Sequence, residues 1–190
     1  MRENESYILR LFDESSKVIL ESKTLVREIL DAIDVIIKSL KNKNKIVIFG
    51  NGGSAADAQH MAAEFIGRYL IERKSIPAIA LTADTSILTS IGNDYSFDSV
   101  FSRQCESLVE ENDIVIAIST SGNSTNIIEG VSTAKKKGAF VISLTGKSGG
   151  KLKGISDITI RVPSDQTPHI QESHRTIIHT ICELVEKQFK

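Results

Sequence analysis

The chain has 190 residues, enough for one domain with a sizeable core, and its 41% hydrophobic and 25% charged content is that of an ordinary globular protein. With 23 basic and 24 acidic residues the net charge is −1, so the bulk balance recruits neither nucleic acid nor an anionic membrane, and small-molecule work is expected. Met1 to Glu5 are polar with no apolar signal core behind them, and no uninterrupted apolar run approaches the ~20 residues of a membrane span, so a cytoplasmic location is expected. Cys105 and Cys182 make no disulfide framework and read as buried thiols.

Residues 1–42 read as an N-terminal helical hairpin. Ile8, Leu11, Phe12, Val18 and Ile19 recur at helical spacing, as do Leu25, Ile29, Ile33, Ile36, Ile37 and Leu40, with Ser22-Lys23-Thr24 between the runs. The second run is apolar over a wider arc than one contact face needs, so the hairpin is expected to serve oligomerisation as well as its own domain.

Ile46 to Phe49 have the length and branching of a buried strand; Gly50, Gly52 and Gly53 break it, and Ser54 opens an alanine-rich helix. Glycines let backbone approach an anion, and the free N–H groups and positive dipole end of a helix favour a phosphate there. The loop fits neither the dinucleotide G-x-G-x-x-G fingerprint nor the Walker loop. One turn further in, His60 and Glu64 stand four residues apart on one helix face. They are either a solvated surface pair or an imidazole and a carboxylate set beside an anion pocket for chemistry.

A second strand is expected over Ile76–Thr82, with Pro77 near its start, followed by a helix start at Ala83-Asp84-Thr85-Ser86 and a turn over Ile91–Ser96. A helix runs from about Phe97 to Val109, and Asp113–Ser119 is a third strand. It leads into Thr120-Ser121-Gly122-Asn123-Ser124 and a helix over 125–137, repeating the opening pattern of strand, small polar loop and helix. The hydroxyls of Ser119, Thr120, Ser121 and Ser124 either ring a phosphate or cap the helix. A fourth strand over 139–145, a glycine- and lysine-rich loop, a fifth strand over 157–162 and a last helix from about Pro168 to Phe189 complete the chain. The alternation specifies an α/β three-layer sandwich: a five-stranded parallel sheet flanked by helices, in one domain over 1–190. Both hydroxyl-rich loops then fall at the carboxyl edge of the sheet, where such folds bind ligands.

At these motifs the chain resembles the sugar isomerase (SIS) domains, and within them the phosphoheptose isomerases. Gly50-Asn51-Gly52-Gly53-Ser54, Asp57 to Glu64, Gly67-Arg68-Tyr69, Gly92-Asn93-Asp94, Ile118 to Ser124, Leu144 to Lys147 and Ile170-Gln171-Glu172 with His179 carry the likeness essentially end to end. The resemblance implies the SIS fold and a homotetramer converting D-sedoheptulose 7-phosphate to D-glycero-D-manno-heptose 7-phosphate for bacterial surface polysaccharide. It implies that Ser119, Thr120, Ser121 and Ser124 hold the phosphate. Asn51, Gly52, Gly53, Ser54, Glu64, Arg68, Asn93, Asp94 and Gln171 would serve the rest of the substrate, and His60, Glu64, Gln171 and His179 a zinc ion. Such an isomerisation moves a proton between C1 and C2 through an enediol, and Glu64 and His179 are the expected base and acid. A glutamate bound to zinc is a poor base, so the metal is either displaced during turnover or partly structural. Gln171 and His179 lie ~12 Å apart along an ideal helix and about 80° apart around it. His174, about 140° from His179, and His169, placed ahead of the helix, are left out of the metal set. The alternative function is a non-catalytic SIS scaffold or sensor, binding a sugar phosphate or the bacterial replication initiator; it is disfavoured because Glu64 and His179 are both present.

Overall fold

The structure is a computed structural model that describes residues 2–190; Met1 lies outside the described residues. Five strands, β1 (Ile46–Gly50), β2 (Ala78–Ala80), β3 (Ile114–Ser119), β4 (Phe140–Thr145) and β5 (Ile158–Arg161), form one parallel sheet in the order β2-β1-β3-β4-β5. Ile46 pairs with Ala78 on one side and Ile114 on the other, and the register continues without slip through β3, β4 and β5. Every residue of β1 and β3 is buried, as a strand covered on both faces requires.

Alternation along the strands divides the core. Ile46 and Ile48 point into a layer with α2 (Val26–Lys41), α3 (Gly53–Ile66) and α7 (Thr167–Glu186), through Ile33, Ile36, Met61, Phe65, Ile177, Ile178 and Ile181. Val47 and Phe49 point the other way, into α5 (Val100–Leu108) and α6 (Thr125–Lys136), through Phe101, Cys105, Ile127 and Val131. Phe49 stacks on Phe101 at 5.0 Å between ring centroids, and Gly130 leaves room for the Phe49 ring, which a Cβ there would meet at 3.0 Å.

The N-terminal pair consists of α1 (Arg2–Glu21) and α2, joined by a 3₁₀ turn at Ser22–Leu25, where the sequence placed the break. The Ser22 hydroxyl donates to the Val18 carbonyl at 2.8 Å, so the turn keeps helical backbone and uses its serine locally. Both helices lie along α7. Ala32, Ile33, Ile36 and Leu40 are buried, whereas Val26, Leu30 and, on α1, Tyr7, Ile8, Leu9 and Phe12 stay exposed.

Three local expectations change. The second strand is shorter than 76–82: Pro77 has no N–H for the ladder, although its carbonyl accepts from Ile46 at 3.0 Å, and β2 is an edge strand. Ile91–Asp94 is not a turn but the last turn of α4 (Thr85–Asp94), because the Asp84 carboxylate caps that helix by accepting from the Ile87 N–H at 3.0 Å and the ladder runs on to Tyr95. His169 sits inside α7, which starts at Thr167 with Pro168 in its first turn.

His174 is a core residue, fully buried, with Nε2–H donating to the Thr145 carbonyl at 3.1 Å. Burial lowers its pKa from 6.5 to about 4 against the opposing pull of the Thr145 carbonyl and Asp57. The folded state therefore refuses a proton that the unfolded chain accepts, so stability present above about pH 6.5 is lost as pH falls toward 4. We expect His174 to account for up to about 3 kcal/mol of that loss. Chemical denaturation of wild type and His174→Gln at pH 7 and pH 4.5 checks it: the variant is the less pH-sensitive of the two.

Candidate active site

In the strand order β2-β1-β3-β4-β5 the chain leaves β1 toward one sheet edge and β3 toward the other, so the loops after these neighbouring strands flank one crevice at the carboxyl edge. The loop after β1 turns on its glycines. Gly52 has φ +55, and a Cβ on Gly50 would lie 2.7 Å from the Ser54 carbonyl oxygen. The Ser54 N–H donates back to the Asn51 carbonyl at 3.0 Å, and Ser54 is buried at the start of α3. After β3, Ser119 Oγ and Ser124 Oγ stand 3.5 Å apart, and Ser119 Oγ accepts from the Gly122 N–H at 3.2 Å while Ser121 Oγ accepts from that of Asn123 at 3.1 Å. Ser124 is the N-cap of α6; its carbonyl accepts from the Ile127 and Ile128 N–H groups at 3.1 and 3.0 Å, but its hydroxyl bonds none of the helix N–H groups and stays available beside the helix terminus. Thr120 and Ser121 line a cavity of about 210 Å³ with Asn123, Lys147, Ser148 and Ser164.

The two loops are tied by a residue that sequence reasoning missed. Asn51 Nδ2 donates to Asn126 Oδ1 at 2.8 Å and Asn126 Nδ2 returns the bond to Asn51 Oδ1 at 3.0 Å. Asn126 is buried in the first turn of α6. Its position two residues past the serine loop was the only sequence signal.

Beside the crevice α3 and α7 run parallel and face each other in rungs. Gly53 lies against the Gln171 side chain, whose Nε2 a Cβ on Gly53 would meet at 2.6 Å. One turn on, the buried Asp57 Oδ1 accepts from Arg175 Nε at 2.8 Å and also from Nη2. A turn further, His60 Nε2 and His179 Nε2 stand 2.9 Å apart, with Glu64 Oε1 3.5 Å from His60 Nε2. The Tyr69 ring covers His179 at 5.4 Å between centroids. Burial first, then the charges of His60 and Arg175, lower the His179 pKa, while Glu64 and Asp57 pull the other way. Burial, with the nearby acidic side chains, raises that of Tyr69.

His60, Glu64 and His179 thus converge, and Gln171 sits upstream of them on the α7 face. Among the described residues no three His, Cys, Asp or Glu side chains form a ready metal cage. The His60–His179 separation is nonetheless near the ~3.3 Å that two nitrogens keep around a tetrahedral zinc, and two imidazoles with a carboxylate are a usual catalytic donor set. Asn93 and Asp94 bond each other, Nδ2 to Oδ1 at 2.8 Å, at the exposed end of α4. Arg68 is exposed and faces Glu72 at 3.9 Å. Neither Arg68 nor Asn93-Asp94 bonds to the His60–His179 group.

A parallel α/β sheet with hydroxyl-bearing loops and helix N-termini at its switch point, and an imidazole–carboxylate group beside them, has the layout of a sugar isomerase domain. Comparison with known proteins agrees, since residues 11–146 match the SIS domain family. The phosphoheptose isomerase of Aquifex aeolicus is 50% identical over 181 residues, 95% of either chain, and that of Geobacter metallireducens 49% identical over 173 residues, 85% of this chain and 92% of the relative. Among solved structures, the phosphoheptose isomerase of Neisseria gonorrhoeae superposes with a TM-score of 0.92 at 42% identity, covering 96% of this chain and 98% of that one. The phosphoheptose isomerase of Francisella tularensis gives 0.94 at 37%, covering 97% and 98%. The chain belongs to the phosphoheptose isomerase family of SIS-domain proteins.

Asn51→Ala and Asn126→Ala each leave one amide without its buried partner, so we expect each to destabilise by about 1–2 kcal/mol and the double variant by clearly less than the sum. Urea denaturation of the four proteins measures the coupling; strict additivity would show that the loops are not tied by this pair.

Proposed function

We propose that this protein isomerises D-sedoheptulose 7-phosphate to D-glycero-D-manno-heptose 7-phosphate. The observation that carries the reading is the convergence of Glu64, His60 and His179 beside two anion loops. The phosphate is held by the hydroxyls of Ser119, Thr120, Ser121 and Ser124 with the free N–H groups of α6. The sugar lies along Asn51 to Ser54, with Gln171, Arg68, Asn93 and Asp94 completing its site. Glu64 removes the C1 proton of the ketose as His179 gives a proton to O2, forming an enediol; proton return to C2 with loss of the O1 proton yields the aldose.

The reading extends to a zinc ion held by His60, Glu64, His179 and Gln171. Bound there it would supply Lewis acidity to the substrate carbonyl. It extends equally to a cytoplasmic homotetramer built through the exposed apolar faces of α1 and α2, and to heptose supply for lipopolysaccharide or capsule. The non-catalytic scaffold or sensor is disfavoured because the acid–base pair is not only present but brought together around His60.

NMR of purified protein with sedoheptulose 7-phosphate should show an aldose product. Glu64→Gln keeps shape while removing the base, so kcat should fall on the order of 10²- to 10⁴-fold with stability little changed, and His179→Gln should do similar damage. Folded variants turning over near the wild-type rate would return the scaffold reading. Inorganic phosphate should compete with substrate, and Ser121→Ala with Ser124→Ala should raise KM. Sedimentation should find a species near four times 20.8 kDa.

A further inference from the structure

Glu186, the last residue of α7, is 1% exposed, and its carboxylate points into the chain that follows α3. Oε2 accepts from the Tyr69 N–H at 3.1 Å, and Oε1 from those of Leu70 at 2.8 Å and Ile71 at 3.2 Å. The Arg73 side chain, fully buried, sets Nε 3.7 Å from Oε2. Its guanidinium donates to the carbonyls of Glu64 at 2.7 Å, Gly67 at 3.2 Å and Lys74 at 3.0 Å. Removing a carboxylate and a guanidinium from water is costly unless hydrogen bonds satisfy both, which this network does for all but Arg73 Nε. Closing a surface loop requires no such arrangement.

What the network fixes is the backbone of 67–73 and the C-terminal end of α3, and the Tyr69 side chain of that stretch packs on His179. The Tyr69 ring lies against His179 with centroids 5.4 Å apart and planes tilted by 31°. His60 contacts the same imidazole at 5.2 Å between centroids, with a tilt of 57°. Tyr69 therefore closes off rotation of the imidazole out of its line with His60 Nε2, and three N–H bonds to one carboxylate keep the Tyr69 backbone from withdrawing.

We propose that Tyr69 is a positioning residue for His179, and that the buried Glu186–Arg73 pair is the device that holds it in place. The functional half of the proposal rests on the isomerase reading, in which His179 exchanges protons with the substrate. The positional half does not.

The test uses the full-length protein and two readouts, the His179 ring resonances by ¹H–¹³C NMR and steady-state kinetics with sedoheptulose 7-phosphate, in Tyr69→Leu, Tyr69→Phe and Glu186→Gln. Loss of the aromatic ring in Tyr69→Leu should shift the His179 ring signals toward those of a free histidine and lower kcat on the order of tenfold with KM nearly unchanged. Tyr69→Phe keeps the ring and should restore both readouts. Glu186→Gln presents an N–H₂ to backbone donors and should move the His179 signals in the direction of Tyr69→Leu. Tyr69→Leu touches no part of the buried pair, so the test survives if Glu186→Gln does not fold. Unshifted His179 signals in folded Tyr69→Leu overturn the proposal whatever happens to kcat, and so does failure of Tyr69→Phe to restore them. If wild type shows no isomerase activity while the signals shift as expected, the isomerase reading falls and the positional assignment stands.

Discussion

The site depends on the parallel contact between α3 and α7. Gly53, Asp57 and His60 on one helix meet Gln171, Arg175 and His179 on the other, so a slip of either helix by one turn would lose every pairing at once. The contact is fixed from both sides. Toward the sheet, Ala58, Met61 and Phe65 of α3 and Ile170, Ile177, Ile178 and Ile181 of α7 are buried in one apolar layer with Ile46 and Ile48. Between the helices, Asp57 is buried with Arg175 as its partner, and removing the guanidinium would leave an unpaired buried carboxylate.

That ion pair also bears on chemistry. Arg175 follows Gln171 and precedes His179 by four residues each, so it stands between them on this face of α7. Asp57 takes its hydrogen bonds, and none goes to Glu64, which leaves the Glu64 carboxylate facing His60. The anion loops show the same economy. Both end at helix N-termini and offer hydroxyl and N–H groups, which would hold the proposed phosphate without placing a fixed cation next to Glu64 and His179.

Much of this was legible in the sequence because its signals are local. Branched runs bounded by glycine gave the strands to within a few residues, and strand, loop and helix in succession placed both anion loops at the carboxyl edge. The four-residue spacing of His60 and Glu64 put them on one face of α3. The misreadings were also local: Gly92-Asn93-Asp94 has turn composition, yet the cap at Asp84 carries the helix through it. What the sequence could not reveal depends on how elements dock. Asp57 meets Arg175 across 118 positions, Asn51 meets Asn126 across 75, and Glu186 meets Tyr69 across 117; each looks like an ordinary polar residue until the helices are side by side. The reciprocal limit is Gln171 and His179, whose ideal-helix spacing leaves two long side chains just able to meet, and which the structure sets on one α7 face with Arg175 between them.

Exposure varies among the site residues, and within the strand-following loops it runs from buried Ser54 and Ser119 to exposed Gly52, Gly53 and Ser121. Asn126, which ties those loops, is buried in the first turn of α6, and His60, Glu64 and His179 are partly covered by the two helices. Arg68, Asn93 and Asp94 are exposed and bond only to near neighbours. Asn93 and Asp94 end a helix in which no residue is buried, although Ile87, Leu88 and Ile91 give it an apolar side. A ten-residue helix is too short to be stable by propensity alone and draws its stability from packing. An incompletely covered α4 and the bare apolar faces of α1 and α2 are therefore two expressions of one shortage of contacts within the chain. A second copy supplying those contacts would complete the packing of α4 and order Asn93 and Asp94 together, which is why the proposed assembly and the proposed sugar site support each other.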